Sequence, residues 1–552
     1  MDMDESNMDR SQKYSWNDLH QLVEKYAGAF RSSGLIKGDV VALVGSNCVR
    51  TLSIFLATAS IGAIFSSFAT DMGSKGLDDR LQQLKSRFLL AEPTYSYNGK
   101  CHNISSKLNT AVGRLQQGGP CEAIILGSNT GFSSNCTSWD TFIARGEGRK
   151  LRFEQMPFNA PLVVMFSSGT TGTPKGIVHS HGIRIHQGLV LNGLKEFLMH
   201  NSLGPGDLHF HYTNIGWTLW NISIGALFAG ATIVLYDGSP FYPTADDCLR
   251  LLFKHRITSF GAGPRYFSEI QKLNVVPNFY VRWPRTVRFF PTRDPIATFI
   301  SWSISCQGSG NGYIVTATDG SPLPDGQGGE LVCRNPFPNM PAMFWNDPQR
   351  KRYFDAFFAK IPHVWVHGDF IHVDPETKGI YVLGRSDGVL NPSGVRFGSA
   401  DIYGTLSKPL ITSDIADSIV VGQQRVDSKY SDPAERVVLF VKVTPGASVS
   451  GSLRLRSDLE TSIRSQIAKD FSRRHVPSFV FAAPEIPYNA KGKKLEIQLE
   501  SVLCGGQAAL AKPKLTESEH QIIQWFEKFY DTEEVDGSHP RLDPRCREYG
   551  DP

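Results

Sequence analysis

Apolar positions along this chain alternate between short continuous runs and longer stretches of helical spacing. Ser15 can cap a helix whose apolar face is Leu19, Leu22, Val23, Tyr26 and Phe30, and Gly34 is placed to end it. The wholly apolar run 40–44 follows directly and reads as a buried strand. Residues 52–65 read as a further helix, and helix-then-strand recurs at 249–254 and 257–260. The nearly apolar run 222–235 contains glycines and falls short of the roughly 18 to 20 residues that span a bilayer, so it reads as core. The alternation predicts an α/β fold with buried sheets.

The texture changes at Gly384-Arg385-Ser386-Asp387-Gly388. Strands are predicted at 418–421 and 436–443, then a helix with Leu459, Ile463, Ile467 and Phe471 on one face, which is enough for a small α+β domain. The expected organisation is a large multi-sheet α/β domain over 1–384, a small mobile α+β domain over 385–513, and a polar tail over 514–552. The stretch from Leu515 onward is polar and acidic and is expected to be peripheral. Residues 128–135, rich in Gly and Ser, read as a surface loop.

Composition narrows the function classes. At 552 residues the chain exceeds one ordinary core, and 41% hydrophobic with 20% charged residues is the balance of a globular protein. A formal net charge of only +4 gives no global attraction to a nucleic-acid polymer or an anionic membrane. The nine cysteines are scattered without a CxxC pair, which favours reduced thiols over a disulfide framework or a zinc site. Residues 1–10 have neither a basic n-region nor an apolar h-region, so the expected location is the cytosol. Oligomeric state is not legible.

One motif carries the chemistry. The apolar run 162–166 leads into Ser167-Ser168-Gly169-Thr170-Thr171-Gly172-Thr173-Pro174-Lys175-Gly176. Its glycines let backbone N–H groups approach phosphate oxygens, its hydroxyls add donors, and Lys175 adds positive charge. Only two residues separate Gly169 from Gly172, so this is not the P-loop with four residues between its glycines. A Ser/Gly linker would not be expected to follow a buried strand or to carry Pro174-Lys175. A triphosphate or pyrophosphate is the expected ligand.

This run resembles the phosphate loop of the adenylate-forming acyl-CoA synthetases, and the likeness extends over about 15–497. The resemblance implies an enzyme that uses ATP and Mg²⁺ to turn a carboxylate into an acyl-adenylate, releasing pyrophosphate, before a thiol such as CoA displaces AMP. It implies phosphate contacts from Ser168, Gly169, Thr170, Thr171, Gly172 and Lys175. In His367-Gly368-Asp369 it makes Asp369 the ribose ligand, whose two oxygens can accept from vicinal hydroxyls. Arg385 would contact ribose or phosphate, Arg396 a phosphate, and Asp387 would be the hinge between domains. In Lys491-Gly492-Lys493-Lys494 the catalytic role falls on Lys493, a compact ammonium able to bridge carboxylate and α-phosphate.

Narrower features resemble the acetoacetate-activating branch of that family. These are Tyr212-Thr213-Asn214-Ile215-Gly216-Trp217-Thr218-Leu219-Trp220-Asn221, the segments 235–243 and 336–345, and Arg474-His475-Val476-Pro477. Trp217 and Gly261 are the expected acyl-pocket positions, although either tryptophan read alone is more simply core. The implied partners are acetoacetate, ATP and CoA. Other short acids (acetate, propionate, butyrate) are the alternative substrates.

The sequence departs from the family over 274–305. There the family carries a Gly-Gly-Thr-Asp or aromatic-Gly-Thr-Glu motif that packs on adenine and holds magnesium. Here the interval is rich in arginine, aromatics and proline, without that motif or a clear helical or strand period. The residue that holds the metal is therefore not identified, and a catalytically impaired family member is the competing reading.

Overall fold

The structure is a computed structural model. It describes residues 1–536 except 6–10, 128–130, 133–134, 168–173, 182–193, 263–265, 267–269, 271–272, 274–287, 292–312, 317–319, 336–339, 378, 386–388, 391, 393–396, 409–412, 428, 433, 445–452, 471–474, 490–493 and 511–514. The chain divides into two compact units, one formed by 1–168, 173–312 and 335–356, the other by 169–172, 313–334 and 357–552.

The first unit is built on two sheets. Val40–Gly45 is buried at every position, as a continuous apolar run demands, and pairs in parallel with Ile64–Ala69 on one side and Phe88–Ala91 on the other. Glu122–Ile125 and Cys136–Ser138 extend that edge in parallel. On the opposite edge come Pro161–Ser167, Lys175–Ser180 and Met343–Phe344, completing eight strands. Helix Trp16–Ser32 begins at Ser15 with a reciprocal cap to Asp18 and buries Leu19, Val23, Tyr26 and Phe30.

The second sheet has five parallel strands in the order Asp2–Asp4, Thr232–Asp237, Leu208–His211, Ser259–Ala262, Arg288–Pro291. Its first crossover carries Trp220, Ile224 and Ala226 against the face with Ile233 and Leu235. The next, helix Ala245–Lys254, places Leu251 and Leu252 against the opposite face with Phe210, Val234 and Phe260. The sheet is thus covered on both faces.

The second unit contains an antiparallel sheet of Tyr313–Thr316, Gly329–Cys333, Trp365–Val373 and Ile380–Arg385. It also holds a three-stranded sheet of Ile415–Gln423, Arg436–Val443 and Phe479–Ala482. Helix Ser457–Asp470 buries Leu459, Ile463 and Ile467 on one face of this sheet, and helix Glu496–Leu510 buries Leu499, Val502 and Leu503 on the other.

Three expectations are corrected. The helix expected over 52–65 is Val49–Ser60, and Phe65 belongs to a strand. Gly62, at φ +75°, makes the turn between them, and a Cβ there would lie 2.4 Å from Met156 Sδ. The interval 274–305, read as lacking strand character, contributes Arg288–Pro291, a strand parallel to Ser259–Ala262. Strands of a covered parallel sheet need not alternate, so their period is silent. Finally, the stretch from Leu515 is not peripheral as far as Asp536. Helix Glu517–Gln524 and the turn Glu527–Asp531 bury Ile523, Phe526 and Phe529 completely, in the same cluster as Phe440 and Phe481. Arg425, with no exposed surface, fastens this segment, reaching Asp432 at 2.9 Å and Glu533 at 2.7 Å. Phe471 and most of the 128–135 loop lie outside the described residues.

Candidate functional site

In the first unit, strand Pro161–Ser167 leads into the phosphate-type run and strand Lys175–Ser180 follows it. Those strands are antiparallel, with Ser167 opposite Lys175, so both ends of the run are held on adjacent strands. Ser168, Gly169, Thr170, Thr171 and Gly172 lie outside the described residues. Lys175 is exposed, its ammonium 5.6 Å from the centre of the Phe344 ring. Gly176 must be glycine, because a Cβ would lie 2.7 Å from Cβ of Trp345, whose N–H donates to the Gly176 carbonyl at 2.7 Å. Trp345 in turn donates its indole N–H to the Gln83 carbonyl at 2.9 Å.

The two tryptophans of the 212–221 segment separate. Trp220 is fully buried, edge-on to Phe55, with its indole N–H donated to Asn47 Oδ1 at 2.9 Å; it is core. Trp217 is half-buried and stands just before helix Thr218–Ser223. Gly261 is buried in the strand Ser259–Ala262, opposite His211. A Cβ on it would lie 2.4 Å from His211 Nδ1, so only glycine admits that ring. His211 and its neighbour His209 were not singled out from the sequence. The signal was an alternation of histidine with aromatic residues, His209-Phe210-His211-Tyr212, inside a strand. Burial holds both imidazoles well below their ordinary value, to about 3 for His209 (with the neighbouring His211 adding) and about 4 for His211, so both are neutral at physiological pH. His209 Nδ1 is 2.9 Å from Ser259 Oγ.

In the second unit Asp369 lies within Trp365–Val373, fully buried, and pairs across the ladder with Arg385. Gly368, at φ +85°, precedes it, and its N–H donates to Glu330 Oε1 at 3.0 Å. His367 Nε2 lies 3.1 Å from Asp369 Oδ2, and the Trp365 indole N–H donates to His367 Nδ1 at 3.4 Å. An indole can only donate, so Nδ1 accepts and the remaining proton sits on Nε2, facing the carboxylate. The chain Trp365–His367–Asp369 therefore orients one carboxylate oxygen.

The side chain of Arg385 and residues Asp387, Arg396 and Lys493 lie outside the described residues. Lys494, next to Lys493, is described and packed away. Its ammonium is 3.9 Å from the centre of the Tyr403 ring and 3.2 Å from Asp417, and burial lowers its pKa. Among the described residues no group of three His, Cys, Asp or Glu side chains could hold a metal ion. Among the described residues no helix is long and apolar enough to cross a membrane.

Residues 3–290 match the family described as AMP-binding enzyme. The acetoacetyl-CoA synthetase of Rattus norvegicus is 35% identical over 537 residues, covering 89% of this chain and 77% of the relative. The acetoacetyl-coenzyme A synthetase of Rhizobium meliloti (strain 1021) is 33% identical over 549 residues, covering 91% and 81%. Among solved structures, acetoacetyl-CoA synthetase from Streptomyces lividans superposes with a TM-score of 0.79 at 29% identity, over 96% of this chain and 83% of that one.

Proposed function

Since the chain belongs to the AMP-binding enzyme family, on its acetoacetyl-CoA synthetase branch, we propose that it ligates acetoacetate to CoA through acetoacetyl-AMP, using ATP, in the cytosol. The observation that carries this reading is the Ser/Thr/Gly run held at both ends by the paired positions Ser167 and Lys175, in a chain with these relatives.

In the first half-reaction the acid's carboxylate oxygen attacks the α-phosphorus and pyrophosphate leaves. Donors at Ser168, Gly169, Thr170, Thr171 and Gly172 hold the phosphates, and Lys175 offsets their charge. Asp369, oriented by His367, accepts from the ribose hydroxyls; Arg385 and Arg396 meet ribose and phosphate. Lys493 bridges carboxylate and α-phosphate as charge redistributes. The small domain, 385–513, then turns about Asp387, and the CoA sulfur attacks the acyl carbon to expel AMP. Magnesium would arrive with the ATP phosphates, where it commonly keeps waters and one or two carboxylates.

Acid-dependent ATP–pyrophosphate exchange tests the reading, with acetoacetate, acetate, propionate and butyrate compared on monodisperse protein. Exchange strongest with acetoacetate is expected. Absence of exchange with every acid, from folded protein, would establish the impaired reading that the unusual 274–305 interval favours.

A further inference from the structure

His211 ends the strand Leu208–His211, and Gly261 lies across from it in Ser259–Ala262. These adjacent parallel strands continue in opposite directions. The first crosses to Thr232–Asp237 on one side, the second to Arg288–Pro291 on the other. That reversal is a topological switch point, and in sheets of this kind small ligands bind outside the carboxyl ends of the strands that flank it. His211 and Gly261 both stand at that end.

His211 is 6% exposed as a whole residue, and its Nε2 is buried with no hydrogen-bond partner among the described residues. A buried polar atom without a partner is costly, and a ligand atom is one way to satisfy it. Gly261 is shaped for this ring, since any Cβ would strike Nδ1 and Cε1 at 2.4 and 2.6 Å. The neighbouring ring is that of His209, 6.1 Å away, which Phe197 meets edge-on at 5.0 Å, and both imidazoles are neutral. A buried, uncharged donor suits a ketone oxygen, an acceptor that carries no charge, better than a phosphate.

Building on the acetoacetate reading above, we propose that His211 Nε2–H donates to the 3-oxo group of the acid, so that this residue separates a 3-oxo acid from its saturated analogue. Bound butyrate would leave the donor buried and unsatisfied, and a site built to hydrogen-bond a polar group rejects the analogue that lacks it. Because burial keeps the imidazole neutral, it provides that donor without bringing a charge into the pocket.

The test measures kcat/KM for pyrophosphate exchange with acetoacetate and with butyrate, in wild type, His211→Leu and His211→Gln. The acetoacetate-to-butyrate ratio is expected to fall roughly 10- to 100-fold in His211→Leu, and to be partly kept in His211→Gln, which retains a donor. Equal loss with both acids would mark His211 as structural and overturn the proposal. An arm without variants covers poor folding: wild type is given 3-methylbut-3-enoate, which has CH₂ where acetoacetate has its ketone oxygen. Exchange roughly 10- to 100-fold weaker than with acetoacetate supports the proposal, and parity within about twofold overturns it. Wild type that exchanges with neither acid would refute the acetoacetate reading and this inference together. Wild type that exchanges with acetoacetate, with the same acid ratio in His211→Leu as in wild type, refutes the inference alone.

Discussion

At the scale of single residues, the lysines near the C-terminal motif are separated by packing. Lys494 is committed to Asp417 and the Tyr403 ring, so it serves the small domain's core. Replacing Lys494 by alanine is expected to lower the thermal midpoint, because Asp417 loses its buried partner, with about 1–3 kcal/mol lost. Replacing Lys493 by alanine is expected to leave the midpoint in place and to cut pyrophosphate exchange about 10²- to 10³-fold. Thermal melts and exchange rates on the two variants check this, and equal midpoint losses would contradict it. The residues proposed for nucleotide were legible because each sits in a contiguous run whose chemistry is local, such as Thr170-Thr171-Gly172 or Gly368-Asp369. His211 was not, because its meaning depends on Gly261, 50 positions further along the chain. Nothing near His211 in the sequence announces a glycine on the neighbouring strand.

At the scale of elements, the clasp around Arg425 governs how the small domain responds to acid. Burial alone would raise the carboxyls of Asp432 and Glu533, yet hydrogen bonds from Arg425, with help from Arg436, hold both below the usual carboxylate range. Their folded values lie below their unfolded ones. The stability they contribute is therefore complete above the ordinary carboxylate value, near pH 4, and is lost as pH falls through the depressed values. Arg425→Leu is expected to weaken that acid-dependent loss and to cost about 3–5 kcal/mol near neutrality, since both carboxylates lose their buried cation and keep only Arg436. Denaturant midpoints at neutral pH and below pH 4, for wild type and variant, check both signs. Elements with a continuous apolar run or a helical stripe were readable from the chain, as with Val40–Gly45 and Ser457–Asp470. The packing of 517–531 was hidden by its charge. Ile523, Phe526 and Phe529 recur every third residue, but Glu517 and Glu519 before them and Glu527 and Lys528 among them gave the segment the texture of a surface tail.

At the scale of the molecule, the two units each own a separate hydrophobic interior. Scanning calorimetry is expected to resolve two transitions, and deleting 515–552 should lower only the one belonging to the second unit. A single transition that the deletion leaves unmoved would refute this. The α/β class was legible because strand runs and helical stripes alternate. The division into units was less so, because 335–356 returns to the first unit after 313–334 has joined the second, a crossing that no local pattern records. One strand also sets an order of events during synthesis. Asp2–Asp4 leaves the ribosome some 230 residues ahead of its parallel partner, Thr232–Asp237. At roughly 5–20 residues per second, that edge waits about 10 to 50 seconds for its mate to be made. During that interval a chaperone, or a neighbouring nascent chain, has access to a segment that the finished protein keeps in its sheet.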